Sequence, residues 1–415
     1  MEPIITNDAV VLGILLSVLA LIFVSASSKN PFFVKFYTYV PPLLLCYFVP
    51  ALLQYPLNLI SGDVSNLYAV ASRYLLPASL ILLCLGIDFK GMWNLGPKAL
   101  IMFLTATLSI VLGGPVALFF VMKVAPGILP VDSDELWRGL STIAGSWIGG
   151  GANQTAMKEI FEVSDALFAS MIVVDVIVAN IWMGFLLYGA NISDKVDRWL
   201  KADNTAITEL KEKMENYQAS VSKNPSTTDI FVLMGVAFGG VALAHYLTDI
   251  ITPWMLNHSD WLNSVRLNSL YSDFFWLIVI VTTIGLLLSI TKARKLEGLG
   301  ASKWGSVFIY ILVATIGMKM NLKDIFSNLS LFSVGIIWML VHVIILLIVA
   351  RIIRAPLFFV AVGSQANVGG AASAPIVASA FSPALAPVGV LMAVLGYALG
   401  TYGGIICALL MQAVS

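Results

Sequence analysis

Apolar runs recur along the chain at residues 8–27, 36–53, 68–87, 98–122 and 164–190. After one polar interval they recur at 229–251, 272–290, 302–320, 330–350 and 384–411. Each is close to the ~20 residues a helix needs to cross a bilayer. Two further stretches, 139–161 and 356–380, have apolar flanks but polar, glycine-rich centres. The pattern predicts an all-α polytopic membrane protein with two interrupted segments. Pro41-Pro42 and Pro77 fall inside spans and predict kinks, which neighbouring groups must compensate.

The interval from Asn191 to Asp229 differs in kind, with charges throughout. Glu209 and Lys213 have the four-residue spacing that supports a short polar helix. The run Lys223-Asn224-Pro225-Ser226-Thr227-Thr228 is a loop followed by a helix start. The chain therefore divides into a membrane repeat over 1–190, a polar linker over 191–229 and a second membrane repeat over 230–415. The halves answer one another in order. Leu85-Gly86-Ile87-Asp88-Phe89-Lys90 matches Ile316-Gly317-Met318-Lys319-Met320-Asn321, and Gly145-Ser146 matches Gly363-Ser364. Gly150-Gly151-Ala152 matches Gly369-Gly370-Ala371, and Asp8 matches Asp229.

If each glycine-rich stretch dips in and returns on one side, every half has five crossings. Five is odd, so the second repeat is inverted. With the N-terminus outside, most cations, including Lys29, Lys35, Lys90, Lys98 and those of the linker, fall on the cytoplasmic side. Lys123, Arg138, Lys158, Arg266, Lys319 and Lys323 fall outside. That obeys the positive-inside rule and expects both termini outside a cell (inner) membrane, with the linker cytoplasmic. Full crossing as broken helices fits the charges less well but stays open.

Composition narrows the classes. With 59% hydrophobic and 11% charged residues and a mean hydropathy of +0.92, 415 residues are too apolar for a soluble chain. A net charge of zero and the absence of a dense basic tract argue against a nucleic-acid partner. Met1 to Asp8 is acidic and no small-residue cleavage site follows Leu12 to Val24, so a first span is expected there rather than a removable signal. Cys46, Cys84 and Cys407 are far apart in apolar runs, with no disulfide or metal spacing. No phosphate-binding glycine-lysine loop, hydrolase serine motif or zinc spacing occurs, so neither an enzyme nor a bound cofactor is expected.

The chemistry lies in the two breaks. A helix that stops inside a membrane leaves unpaired N–H groups at one end and carbonyls at the other. The N–H end suits a carboxylate or phosphate, and the carbonyl end suits Na⁺. Ser146, Asn153, Gln154 and Thr155, with Ser364, Gln365, Asn367 and Ser373, are the candidate substrate-binding side chains. Gly149, Gly150, Gly151, Gly369 and Gly370 are candidates for backbone contact with a coupling ion. The plainer reading of glycines in a membrane helix is close helix packing. Polar side chains accompany them here, and the set occurs twice.

Asp175 lies in the middle of an apolar span, where an acid is a functional candidate by default. It can ligate a cation, or desolvation can keep it protonated. Its plainer role is a neutral carboxyl hydrogen-bonded for helix packing. Asn180, on another side of the same helix, and Thr401 of the second repeat are further ion-coupling candidates. The second repeat offers only Tyr397 and Thr401 in the corresponding region, so the halves are not chemically equivalent. Arg73 more often snorkels than binds, and His342 is more often structural. His245 and His258 do not share metal spacing with it. Trp137, Trp254, Trp261 and Trp304 fit an interfacial belt.

The run Gly145 to Met157, with Ile172-Val173-Val174-Asp175 and Gly363 to Gly370, resembles the signature of domain-of-unknown-function family 819. More distantly the design is similar to sodium–glutamate and sodium–citrate symporters of the cation:proton antiporter and anion transporter superfamily. That resemblance implies inverted five-helix repeats, glycine-rich hairpins holding substrate and Na⁺ at their tips, and a homodimer. The function expected is Na⁺-coupled symport of a small anionic organic solute: an amino acid, short peptide or carboxylate. Proton or cation exchange through Asp175, and a non-transporting scaffold or sensor, are the alternatives.

Overall fold

The computed structural model describes residues 3–40, 42–125, 127, 129, 131–203, 225–264, 270, 272–320, 330–382 and 385–415. The expected helix around Glu209 and Lys213 lies outside them. The described residues form helices and their connections, with no strand among them. The first half holds α1 (Asp8–Ala26), α2 (Pro31–Tyr39), α3 (Pro42–Gln54), α4 (Leu67–Leu85), α5 (Pro97–Val124), α6 (Ser133–Ile160) and α7 (Asp165–Asn191). After the short α8 (Ser193–Leu200), the second half holds α9 (Thr227–Leu256), α10 (Asp273–Ser289), α11 (Ala301–Gly317) and α12 (Leu331–Ile353). It ends with α13 (Leu357–Val368), α14 (Gly370–Phe381) and α15 (Ala386–Val414).

Among the described residues, seven helices are long and apolar enough to cross a membrane, or up to nine if each bent pair counts as one span. The protein is a membrane protein with several spanning helices. The span expected over 36–53 is bent where its prolines predict a kink: α2 and α3 meet at 92°. Proline cannot donate its nitrogen to the preceding turn, so the apolar run continues where the helix does not.

Local chemistry sets the ends. Asn7 accepts from Ala9 N at 2.9 Å to start α1, and Asp132 accepts from Glu135 N at 2.9 Å to start α6. The expected helix start at Ser226 is a capping box with Asp229. Inside α4, Pro77 removes the donor that would serve the carbonyl of Arg73, and residues 71–75 widen into a π turn. His245 of α9 fills the gap, its Nε2 3.0 Å from that oxygen. A carbonyl can only accept, so Nε2 carries the proton. The ring ties the two halves together.

The helices form two packed groups. In one, α3 packs on α11, α4 on α10 and α11, α1 on α3 and α9 on α10. In the other, α5 packs on α12 and α13, α15 on α6 and α14, and α7 on α6 and α12. Exchanging the halves element by element turns the α3–α11 pair into α10–α4, and α1–α3 into α9–α10.

Close packing in the second group rests on glycine. A Cβ on Gly149 would lie 2.6 Å from the Cα of Gly400 and 2.7 Å from the Gly396 carbonyl. One on Gly145 would lie 2.6 Å from the carbonyl of Asn153. These glycines let backbones touch. Trp338 lies against Gly113 and Gly114 of α5 and 5.3 Å from the ring of Trp147. Gly149→Ala is expected to lower stability by about 1–3 kcal/mol, because backbone atoms cannot step aside. Gly151, where the nearest atom to a Cβ is Leu43 Cδ2 at 3.9 Å, should accept Ala without loss. Thermal unfolding of both variants in detergent checks the contrast, and equal midpoints would refute it.

Candidate functional site

Helix α6 is not straight. Gly150 has φ 73° and ψ −172°, outside the helical region, and the chain reverses there. The Arg138 guanidinium donates to the Phe161 carbonyl at 3.1 Å, although the residues are 23 apart in sequence. A straight helix would separate them by about 34 Å. The second break behaves alike. Gly370 has φ 59°, Gln365 Nε2 donates to Ser373 Oγ at 2.7 Å, and the rings of Phe358 and Phe381 lie 5.5 Å apart. Both glycine-rich stretches are hairpins. A positive φ at each turn is a conformation that glycine adopts without steric cost.

The hairpins open at opposite ends of α7. The first has its base at Asp165, where Lys158 Nζ approaches at 3.0 Å. The second has its base near the far end, where a Cβ on Gly189 would touch Leu357 at 3.5 Å. These points on α7 are about 36 Å apart. The tips meet between them. Gly150, Gly151 and Ala152 share a cavity of about 130 Å³ with Gly369, Gly370 and Ala371. Leu43, Leu83, Ser306, Ile309, Tyr310 and Tyr397 complete its wall. The cavity therefore lies between the two helix groups.

The candidate polar side chains surround the tips without lining this cavity, and each set has its own partners. Ser146 Oγ and Gln154 Nε2 both donate to Asp175 Oδ2, at 2.6 and 2.9 Å. Asp175 is thus held by the first hairpin, with no cation bonded to it among the described residues. Asn153 donates to the carbonyls of Gly149 (3.0 Å) and Tyr397 (2.8 Å) and accepts from Thr401 Oγ1 at 2.5 Å. Asn367 repeats the device on α5. It donates to Gly363 O and Phe103 O at 2.9 and 3.3 Å, and accepts from Thr107 Oγ1 at 2.8 Å. Each amide has both donors and its oxygen engaged, and each bolts one hairpin to a neighbouring helix.

Ser364 donates to His342 Nε2 (2.7 Å) and accepts from Trp182 Nε1 (2.8 Å). His342 Nδ1 faces Ser109 Oγ at 2.7 Å, and that hydroxyl donates to the Ala106 carbonyl at 2.8 Å. With the Ser109 proton so used, Nδ1 is the donor and Nε2 the acceptor. His342 is a structural bridge, as the sequence suggests. Thr155 bonds the carbonyl of Gly151 in its own helix. Asn180 likewise bonds Val176 O and lies away from the tips. Gly149 faces Gly400 rather than the cavity. Trp137 is corrected: it is buried, its ring 5.4 Å from Phe161, so it does not join an interfacial belt, whereas Trp254 and Trp261 are exposed.

Sequence reasoning does not single out Thr107, Ser109, Trp182, Ser306 or Tyr310. A hydroxyl inside an apolar run is the one signal available for Thr107 and Ser109, and serines and threonines commonly bond their own helix instead. The linker also gains a role. Asp197 of α8 accepts the backbone N–H of Leu357 at 2.7 Å and so caps the start of the second hairpin.

A family model described as "Protein of unknown function (DUF819)" matches residues 13–414. A protein of Bacillus subtilis (strain 168) named "Uncharacterized membrane protein YjcL" is 24% identical over 350 residues, which cover 82% of each chain.

Removing either amide takes away its bonds to a carbonyl and a threonine hydroxyl on the facing helix. Asn153→Ala and Asn367→Ala should each cost about 1–3 kcal/mol in stability. The two bolts share no partner, so their costs should add to within about 0.5 kcal/mol in the double variant. Unfolding midpoints of the four proteins test this, and a large coupling would mean that the hairpins are held as one unit.

Proposed function

The chain belongs to the DUF819 family, whose description assigns no activity, and from the geometry of its hairpins we propose a secondary active transporter working by alternating access. The observation that carries this reading is the meeting of two reversed backbones inside an apolar bundle. Interrupted backbone is tolerated at membrane depth only where protein or a water-filled cavity surrounds it. Broken segments in corresponding positions of two halves point to a transport site. The exchange of helix pairs between the halves supports an inverted duplication with re-entrant hairpins. In that reading both termini face outward across a cell (inner) membrane, the linker is cytoplasmic and the protein is a homodimer.

The solute is a small anionic organic molecule: an amino acid, short peptide or carboxylate. It sits against the glycine tips, where the returning arms after Gly150 and from Gly370 present N–H groups with partial positive charge. Gly369 lines the same space. Gln365 Oε1, on the second hairpin, is buried without a hydrogen-bond partner among the described residues. Ser146, Gln154 and Asp175 form the cation-coupling cluster, with Na⁺ as the coupling ion. Ser364, Ser373, Thr155, Asn153, Asn367 and Thr401 keep the tips in register.

A second reading, proton-coupled exchange, is favoured by the burial of Asp175, an acid withdrawn from water with no cation bonded to it among the described residues. Protein in liposomes should accumulate members of an amino-acid, dipeptide and carboxylate panel only under an imposed Na⁺ gradient. Uptake indifferent to both Na⁺ and H⁺ gradients would remove the coupled mechanism. Asp175→Asn separates the two cations: loss of Na⁺-dependent binding supports symport, whereas retained binding with lost proton coupling supports exchange. A scaffold or sensor would instead keep its function in Gly150→Leu, which a transporter should not.

A further inference from the structure

At the base of the first hairpin lies a second, larger cavity of about 730 Å³, lined mainly by charged and polar side chains. Its walls come from both helix groups. Tyr68 and Arg73 of α4, Asp273 of α10 and Lys319 after α11 stand on one side, and Arg138, Lys158, Glu159 and Asp165 on the other. Polar bonds cross between them at its floor. Lys319 Nζ lies 3.1 Å from Asp165 Oδ2, and Lys158 holds the other oxygen of the same carboxylate at 3.0 Å. Tyr68 OH donates to Glu159 and accepts from Lys158 Nζ at 3.2 Å. Lys319 also lies over the Tyr68 ring, 4.3 Å from its centre.

We propose that Lys319, Asp165, Lys158, Glu159 and Tyr68 form a latch that closes the first-hairpin side of the tip cavity. The proposal rests on the alternating-access reading above. Three observations carry it.

The first is position. Lys158 and Glu159 stand on the returning arm about 12 Å from the turn at Gly150, so they separate the charged vestibule from the tips. The second is burial. The side chains of Lys158 and Glu159 are only 6% and 13% exposed, and those of Lys319 and Asp165 21% and 30%. Pairs this withdrawn from water are weakly screened, and removing one partner leaves a charge without compensation.

The third is the contrast with the other side. Asp88 follows α4 as Lys319 follows α11, in matching sequence positions. Yet Asp88 bonds Arg294, which follows α10, at 2.6 Å, within the α4–α10 group. Near the base of the second hairpin, Lys98 pairs with Asp203 at 3.1 Å, within the other group. Among the described residues no ion pair crosses between the groups there.

The test uses the full-length protein in membranes, with Ser306→Cys as a reporter in the tip cavity. Cys46, Cys84 and Cys407 are buried, and the parent protein measures their background. A membrane-impermeant maleimide is applied from the first-hairpin face alone. The reporter should be protected, and Lys319→Ala or Asp165→Asn should raise its labelling rate on the order of tenfold by shifting the conformational population. Lys319→Arg, which keeps a cation opposite Asp165, should retain protection. Asp165→Asn preserves shape, and a monodisperse peak on size exclusion verifies folding of each variant. Equal labelling with and without the latch residues would overturn the proposal. So would rapid labelling of the reporter in otherwise native protein from this face. Labelling needs no solute, so its failure leaves the transport reading intact, and a failed uptake screen leaves the latch intact.

Discussion

A backbone that reverses inside an apolar bundle must hand its polar groups to something other than water, and the rest of this structure follows from how that is done. At each turn a glycine with positive φ makes the reversal. An asparagine then fastens one arm to a long neighbouring helix, using a carbonyl and a threonine hydroxyl one turn apart: Tyr397 and Thr401 for the first hairpin, Phe103 and Thr107 for the second. The amide suits the task because it donates and accepts from one rigid plane. With these bonds made, the arms need little from the tip, and the tip backbone is left facing a cavity.

Helix α7 measures out the arrangement. Along its 27 residues it meets the base of the first hairpin at Asp165 and its arms at Asp175, then the second hairpin at Trp182 and Gly189. The two hairpins therefore have a common reference, set by helix rise alone. The contacts of these elements with α3, α4 and α11 are of another kind, mostly apolar at the cavity wall and ionic at one mouth.

Much of this was legible in the sequence, and the limit has a physical cause. Apolar length located almost every span, and glycines accompanied by Asn, Gln and Ser located both hairpins. Neighbouring glycines could not be told apart: Gly149 faces a backbone and Gly150 makes a turn, yet the letter is the same. Partner identity was also out of reach. Asn153 finds Thr401 across 248 residues, and its local sequence carries no trace of that choice. In the region 36–53 the prolines announced a bend but not its size, which is near a right angle.

The turn at Pro77 bears on how the molecule is made. Its unserved carbonyl, on Arg73, is met by His245, 172 residues later and beyond the linker. A chain emerging from the ribosome from its N-terminus inserts α4 well before that imidazole exists. Until α9 arrives, the widened turn has to rely on lipid headgroups, water or a chaperone. A cut through the linker would pass between two runs of apolar helix and look harmless on a hydropathy plot. It would part an acceptor from its donor.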